Sequence, residues 1–258
     1  MAKTTHYDFY DYLPYWRKRK YEHEAEKTAL KKFLVKNLSK NLTTSKQGSI
    51  IDIGGGFGRL AEIYTPLFKN CLLIDPSKKI LKQAKIRLKN YKNVEIKQGS
   101  VQEIPAKDNQ FDAALMVRIV HHIPEPLPAF REINRVLKPR GFLILEFANK
   151  IHFRAKIRAW LRGNFGFSKN LNPVDQRSQK SIDTDKIPFL NHHPQQIEKL
   201  LTQAGFKVID KLSVSNFRHP LFKKMVPLRL LSFLESNTQH PLSIIYFGPS
   251  IFILASKI

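Results

Sequence analysis

Ile50-Ile51-Asp52-Ile53-Gly54-Gly55-Gly56-Phe57-Gly58-Arg59-Leu60 is the stretch whose reading decides the fold. Its short apolar run ends in glycines, so it reads as a buried strand feeding a tight turn. Glycines at 54, 56 and 58 let the backbone turn sharply and let a ligand come close to the main chain. Asp52 puts a carboxylate at the strand's end. A dinucleotide fingerprint, Gly-x-Gly-x-x-Gly, would need its third glycine at the position of Arg59. Such a turn holds an anionic pyrophosphate on a helix N-terminus. A carboxylate beside the loop repels that anion and suits a ligand carrying an ammonium group.

Working outward, Cys71 to Ile74 is a second buried run, and it ends on Asp75. An acid at the tip of the second strand can accept both hydroxyls of a ribose. Ser77 reads as the cap of the helix that follows, with Pro76 at its start. That helix spans Ser77 to Tyr91 and presents Lys78, Lys82, Lys85 and Lys89 to water. A helix over Gly58–Phe68 precedes the second strand. Val94–Lys97 and Phe111–Val117 are further strands, Leu127–Leu137 a helix, Lys138-Pro-Arg-Gly141 a turn and Phe142–Phe147 a fifth strand. Pro194–Ala204 is a helix closed by Gly205 at its C′ position. Lys207–Phe217 and Ile244–Ser256 are the last strands, the second interrupted by Gly248-Pro249. Strand and helix alternating at these lengths predict an α/β fold built of βαβ units, a mainly parallel sheet with helices on both faces.

Length allows one large domain or two small ones, at 258 residues. We divide the chain into a helical, aromatic and basic lead-in, 1–46, and a main domain, 47–258. Segments 150–190 and 218–243 break the alternation. Both follow a strand, so both emerge at the edge where open α/β sheets bind ligands, as walls of a substrate pocket. In the lead-in, Tyr7, Tyr10, Tyr12, Tyr15 and Trp16 either fold over a cationic ligand or pack on the core.

A composition 42% hydrophobic and 25% charged excludes wholesale disorder. The only cysteine, Cys71, excludes an internal disulfide and a cysteine-rich metal site, which fits a cytoplasmic setting. No signal-like start and no apolar run long enough to span a bilayer is present. Net charge is +23. It is spread along the chain rather than gathered, and Lys outnumbers Arg by 30 to 14. Both facts fit solvated lysine-rich faces, while a field of this sign also favours anionic partners. Residues 151–162 place Phe153, Ile157, Trp160 and Leu161 on one side of a helix with Arg154, Lys156, Arg158 and Arg162 on others. Together with Phe222, Met225, Leu228, Leu231 and Phe233 they read either as a lid packed on itself or as a contact with an anionic membrane.

Ile51-Asp-Ile-Gly-Gly-Gly-Phe-Gly, Leu73-Ile-Asp-Pro-Ser, Gly99-Ser-Val-Gln-Glu-Ile-Pro, Asn109-Gln-Phe-Asp-Ala-Ala, His121-His-Ile and Arg135-Val-Leu-Lys-Pro-Arg-Gly-Phe-Leu occur in that order. The series resembles class I S-adenosylmethionine-dependent methyltransferases, especially the branch of the quinone-biosynthesis methyltransferases. The resemblance is tight over roughly 48–149 and loose over 192–258. It implies a Rossmann-like, doubly wound seven-stranded sheet, mostly parallel with an antiparallel last strand. It also implies S-adenosyl-L-methionine as cofactor, with Asp52, Gly54, Gly56 and Gly58 on its methionine part. It further implies Asp75 on the ribose hydroxyls, Pro76 or Ser77 beside the adenine, and Ser100 and the Val101 N–H on the adenine edge. Ser100 replaces the acid common in the family. Arg118 falls where the family places a backbone carbonyl near the methionine ammonium.

Methyl transfer from a sulfonium needs alignment and exclusion of water more than side-chain chemistry. His121 and His122 are the candidate bases for an acceptor that must lose a proton; otherwise they serve the loop after the fourth strand. The expected partner is a small-molecule acceptor, hydrophobic or lipid-linked. The charge keeps an RNA methyltransferase open, although no RNA-binding module and no Asn/Asp-Pro-Pro-Tyr/Phe motif is present. A cofactor-binding protein without catalysis is the third reading.

Overall fold

A computed structural model of the chain describes residues 12–41, 48–184 and 186–258. Its first strand, β1 (Ser49–Ile53), buries Ile50 through Ile53 without alternation, as a central parallel strand covered on both faces must. β2 (Asn70–Asp75), β3 (Val94–Gln98), β4 (Phe111–Met116) and β5 (Leu137–Ala148) continue the parallel part of the sheet. A separate ribbon joins β6 (Val174–Asp175) to β7 (Leu190–Asn191). β8 (Phe206–Val214) and β9 (Ser250–Lys257) complete a seven-stranded sheet of order β3-β2-β1-β4-β5-β9-β8. β9 runs antiparallel to both its neighbours. The expected architecture is the one observed.

Helices cover both faces. α1 (Tyr12–Arg17), α2 (Lys20–Asn41), α3 (Ala61–Tyr64) and α4 (Lys78–Arg87) precede α5 (Pro126–Val136), α6 (Phe153–Leu161) and α7 (Gln179–Asp183). α8 (Pro194–Gln203), α9 (Pro220–Met225) and α10 (Leu228–Ile244) follow. One core holds Leu30 and Phe33 of α2 with Tyr64, Phe68 and Leu81. The other holds Phe130, Ile133, Ile197 and Phe206. Fully burying each such large apolar side chain contributes about 2 kcal/mol. Gly205 takes φ +82° directly after α8, as a helix-ending glycine should.

Several boundaries differ from the sequence reading: α4 stops at Arg87 and β8 at Val214, short of Tyr91 and Phe217, and three other differences have a clear physical cause. The helix expected over Gly58–Phe68 contracts to α3, because the glycine loop still turns at Gly58 (φ +76°) and Pro66 has no N–H to continue it. The expected turn at Lys138-Pro-Arg-Gly is part of β5, accommodated by a register shift opposite Phe111 and Ala113. Ile244 ends α10 instead of opening the last strand. Pro249 cannot donate to a ladder, so β9 begins only at Ser250. Asn149 fixes the intervening turn by donating to the carbonyls of Tyr246 and Gly248, both at 2.8 Å.

β5 and β8 end at the same sheet edge as β1, so both insertions leave from the edge that carries the glycine loop. The first returns through β7, just past which the His192 N–H donates to the Ala148 carbonyl and the His192 carbonyl accepts from the Lys150 N–H. The two insertions do not bury their apolar sides in each other as a self-packed lid would. Trp160, Leu161, Phe222, Met225 and Phe233 are all exposed.

Candidate functional site

The glycine loop folds back over the end of β2. The N–H groups of Gly54 and Gly55 both donate to the Ile74 carbonyl, at 2.8 and 3.1 Å. Gly54, Gly56 and Gly58 have φ of +67°, +56° and +76°, a region costly for any residue with a Cβ. Gly55, not singled out by spacing, is needed for a different reason. A Cβ there would meet the Asp52 carboxylate at 2.8 Å and Leu73 at 2.7 Å.

Asp52 pairs in register with Leu73 and Leu115, one residue before the end of β1, and is 3% exposed. The buried Tyr64 hydroxyl donates to it at 3.0 Å. Burial pushes its carboxyl up to about 7, against the opposing pull of Tyr64 and Arg59. Asp75 adds to the upward push, so the two acids feel each other across the strand tips. The site thus holds a buried carboxylate that a ligand cation would return to its ionised state.

Asp75 is tied into the loop it faces. One oxygen accepts Gly56 N–H at 3.1 Å and the other accepts Ser77 N–H at 2.9 Å. A carboxylate offers about four acceptor positions, so these bonds are compatible with hydroxyl donors at the same group. Ser77 caps α4 through Ile80 N–H at 3.2 Å. Gln98 lies opposite Asp75 in register and its amide donates to the Pro76 carbonyl at 3.0 Å. Gly99, Ser100 and Val101 therefore begin beside Asp75, Pro76 and Ser77, with Val101 buried.

Arg118 is the candidate whose side chain has the fullest account. It adopts φ +62° just past β4, and its N–H donates to Glu146 Oε2 at 2.8 Å. Glu146 is buried on β5 and also accepts the Ser250 hydroxyl. The Arg118 guanidinium pairs with Glu26 at 2.5 Å, and Arg59 pairs with the same carboxylate at 2.5 Å. Burial alone would raise the Glu26 carboxyl, but Arg118 and Arg59 outweigh it and hold it below the usual range. The Trp16 ring lies over both cations, 3.6 Å from the Arg59 guanidinium carbon and 4.9 Å from that of Arg118. Glu26, Glu146 and the Arg59 side chain were not picked out by motif. One signal was there: Glu26 stands on the same helical face as Ala29 and Phe33, where an acid needs a buried partner. Tyr7 and Tyr10, and the Tyr12 side chain, lie outside the described residues. Tyr15 and Trp16 do place part of the aromatic lead-in against the loop.

His121 and His122 occupy one turn after Arg118, their ring centroids 4.1 Å apart. His121 is buried under Phe189, 4.6 Å between centroids, and its Nδ1 has no hydrogen-bond partner among the described residues. Burial, then His122, Arg118 and His192, hold His121 well below the usual histidine value, so it is neutral. His122 Nδ1 contacts the Pro188 carbonyl at 2.8 Å and His192 Nε2 the Val120 carbonyl at 3.2 Å. The returning arm of the first insertion thus closes over the histidine turn. Phe189, Pro188 and His192 carry no sequence signal for this. A hollow of about 710 Å³ lies elsewhere, at the opposite sheet edge among Gly48, Asn70, Asp112 and Lys138. Ligands of open α/β sheets bind beyond the carboxyl ends, so the glycine-loop edge is the better candidate.

Residues 51–145, which contain the loop, both aspartates and both histidines, match a family described as a methyltransferase domain. The chain carries a class I S-adenosylmethionine-dependent methyltransferase domain. Over 98 residues this methyltransferase domain is 32% identical to the uncharacterized methyltransferase YcgJ of Bacillus subtilis, covering 37% of this chain and 39% of that protein. It is 27% identical over 178 residues to the ubiquinone/menaquinone biosynthesis C-methyltransferase UbiE of Shewanella oneidensis, covering 65% of this chain and 69% of that one. A solved Thermotoga maritima methyltransferase, described as a possible histamine N-methyltransferase, matches with a TM-score of 0.52 at 21% identity. That match covers 93% of this chain and 89% of the other. The chain therefore spans about two fifths of the length of YcgJ.

S-adenosylmethionine is the cofactor of this methyltransferase class, and the residues present suit it. The loop's close approaches exclude side chains at Gly54 and Gly55, and the buried Asp52 has the chemistry for an ammonium. The acids stand at neighbouring tips. Among the described residues no group of three or more His, Cys, Asp or Glu is placed to hold a metal ion.

Proposed function

We propose that the chain transfers the methyl group of S-adenosylmethionine to a small, hydrophobic acceptor by in-line displacement. The observation that carries this reading is the arrangement of Asp52, the glycine loop and Asp75 at adjacent carboxyl tips of β1 and β2. Asp52 is assigned to the ammonium, and Gly54, Gly56 and Gly58 to close backbone approach. Asp75 is assigned to the ribose hydroxyls, Pro76 and Ser77 to the adenine flank, and Ser100 and Val101 N–H to its edge. The Arg118 carbonyl is assigned to the ammonium, while its side chain holds α2 in place through Glu26. When bound, the sulfonium supplies an already activated methyl group.

His121 is the better candidate base of the two. Burial keeps its imidazole neutral, and its Nδ1 is without a partner among the described residues. For an acceptor that must lose a proton, that ring takes it as the new bond to carbon forms and the bond to sulfur breaks. His122 is assigned to holding the Pro188 arm. Phe189 over His121 helps keep water from the reacting atoms. Similarity to a ubiquinone/menaquinone C-methyltransferase and the apolar insertions beside the loop support a hydrophobic acceptor. The lone, buried Cys71 supports a cytoplasmic setting.

The test is incubation with methyl-labelled cofactor and separated lipid, metabolite and RNA pools. Label in a solvent-extractable small molecule supports the reading. Label confined to RNA, for which the net charge of +23 is the favouring observation, contradicts the acceptor class. Tight cofactor binding with label nowhere contradicts catalysis.

A further inference from the structure

Segments 150–174 and 216–234 hold ten Lys and Arg and not one Asp or Glu. They are distant in sequence, and both reach the turn at 247–248, where Asn216 Oδ1 lies 2.7 Å from the place a Cβ on Gly248 would take. Phe153 N–H donates to the Phe247 carbonyl at 2.9 Å, and the two rings stack at 4.9 Å. Lys156 donates to the Ile245 carbonyl at 2.9 Å, tying α6 to the end of α10. Arg218, at the start of the second insertion, acts on the buried His152 together with Arg158 and Arg154 of α6. The Phe222 ring of α9 reaches back to Phe217 in the same turn.

Apolar side chains project from this acid-free region instead of sinking into the core. Relative exposure is 65% for Trp160, 70% for Leu161 and 73% for Phe165 on the α6 side. It is 61% for Leu221, 79% for Met225 and 65% for Phe233 on the other. Exposed apolar groups in such number mark a contact surface rather than ordinary scatter. Arg154, Arg158, Arg162, Lys224 and Arg229 are exposed among them.

We propose that this face docks on an anionic lipid bilayer, with Trp160, Leu161 and Met225 entering the acyl boundary and the arginines and Lys224 at headgroup phosphates. Cations flanking projecting Trp and aliphatic groups are what an interface-lying surface needs. A second copy of the chain would bring two acid-free cationic faces together, which like charge opposes. Nucleic acid would satisfy the cations but has no use for Leu161, Leu221 and Met225, which offer no stacking face. Among the described residues no helix is long and apolar enough to cross a membrane, so the contact is superficial. It lies at the sheet edge that carries the glycine loop, yet it does not depend on the methyl-transfer reading.

The experiment is co-sedimentation of the full chain with phosphatidylcholine vesicles, with and without phosphatidylglycerol, at low and high salt. Binding to the anionic vesicles is expected to exceed binding to the neutral ones by about tenfold and to weaken with salt. The exposed double variant Trp160→Ala/Leu161→Ala should lose about fivefold of that binding, with an unchanged circular dichroism spectrum. Arg154→Glu/Arg158→Glu/Arg162→Glu should abolish it. No sedimentation, equal binding to both vesicles, or a wild-type affinity for the Trp160/Leu161 variant would each overturn the proposal. So would binding of an RNA oligonucleotide that competes fully with the vesicles and matches the Trp160/Leu161 variant in strength.

Discussion

The Glu26 carboxylate on α2 lies 2.5 Å from the Arg118 guanidinium just past β4, and it holds Arg59 of the glycine loop at the same distance. One side chain thereby fastens the N-terminal helix to two of the segments that shape the candidate cofactor site. Neighbouring α2 residues extend the link toward the second insertion: Tyr21 donates to Glu235 at 2.6 Å, and Glu22 accepts Lys223 at 2.9 Å. The lead-in is therefore part of the site's framework.

Replacing Glu26 by Ala leaves two largely buried guanidiniums without their carboxylate. That change should destabilise the fold by about 3 kcal/mol, the usual scale for removing one partner of a buried pair. Glu26→Gln keeps an acceptor and should cost less. Urea unfolding of both variants measures this, and a wild-type midpoint for Glu26→Ala would contradict the account.

Asp52 makes the pH behaviour specific. Its folded value of about 7 lies above the ordinary 3.8. Between those values the folded form keeps a proton that the unfolded chain has released, so this group's contribution to stability falls as pH rises through the window. Asp52→Asn should flatten that part of the stability profile. A cationic ligand favours the ionised form, so its affinity should rise over the same interval, and binding at pH near 6 should release protons. Titration calorimetry in buffers of different ionisation heat reads the release. An affinity independent of pH, with no proton released, would contradict the placement of Asp52.

The glycines separate backbone strain from crowding. An alanine Cβ at position 56 meets nothing closer than Ile80 at 3.8 Å, whereas at 58 it meets Leu88 at 2.7 Å. Gly56→Ala should cost only the left-handed backbone term of about 1 kcal/mol, and Gly58→Ala clearly more. Cofactor affinity should follow the opposite order, since the Gly56 N–H bond that aims Asp75 depends on a left-handed backbone that alanine strains. Thermal melts and binding isotherms on the same two variants check both orders.

The alternation of apolar runs and helices sufficed to predict the sheet, because buried parallel strands such as Ile50–Ile53 leave a continuous apolar signature. The loop was legible for the same kind of reason: only glycine tolerates φ near +60° at positions 54, 56 and 58. Long-range polar pairing left no such mark. Glu26 and Arg118 are 92 positions apart, and nothing local announces that they meet. The role of the insertions stayed open because exposed and buried apolar faces look alike in sequence, and Ile244 joined a helix because Pro249 delays the strand.

His121 and His122 should part company in kinetics. His121→Ala should lower kcat by about a hundredfold for a proton-bearing acceptor, with little change in cofactor affinity. His122→Ala should act more mildly, through the Pro188 arm. Equal and small effects on kcat would assign both rings to the fold.

The proposed pairing of Asp52 and Asp75, at adjoining strand tips, on one sulfonium nucleoside is open to direct titration. Its most direct measurement is calorimetric titration of the full chain with S-adenosylmethionine, alongside Asp75→Asn, which retains an acceptor for Gly56. The wild type should bind saturably, and the variant about tenfold or more weakly as charge-assisted hydroxyl bonds are lost. Absence of heat with S-adenosylmethionine, while NAD titrates to saturation, would contradict it.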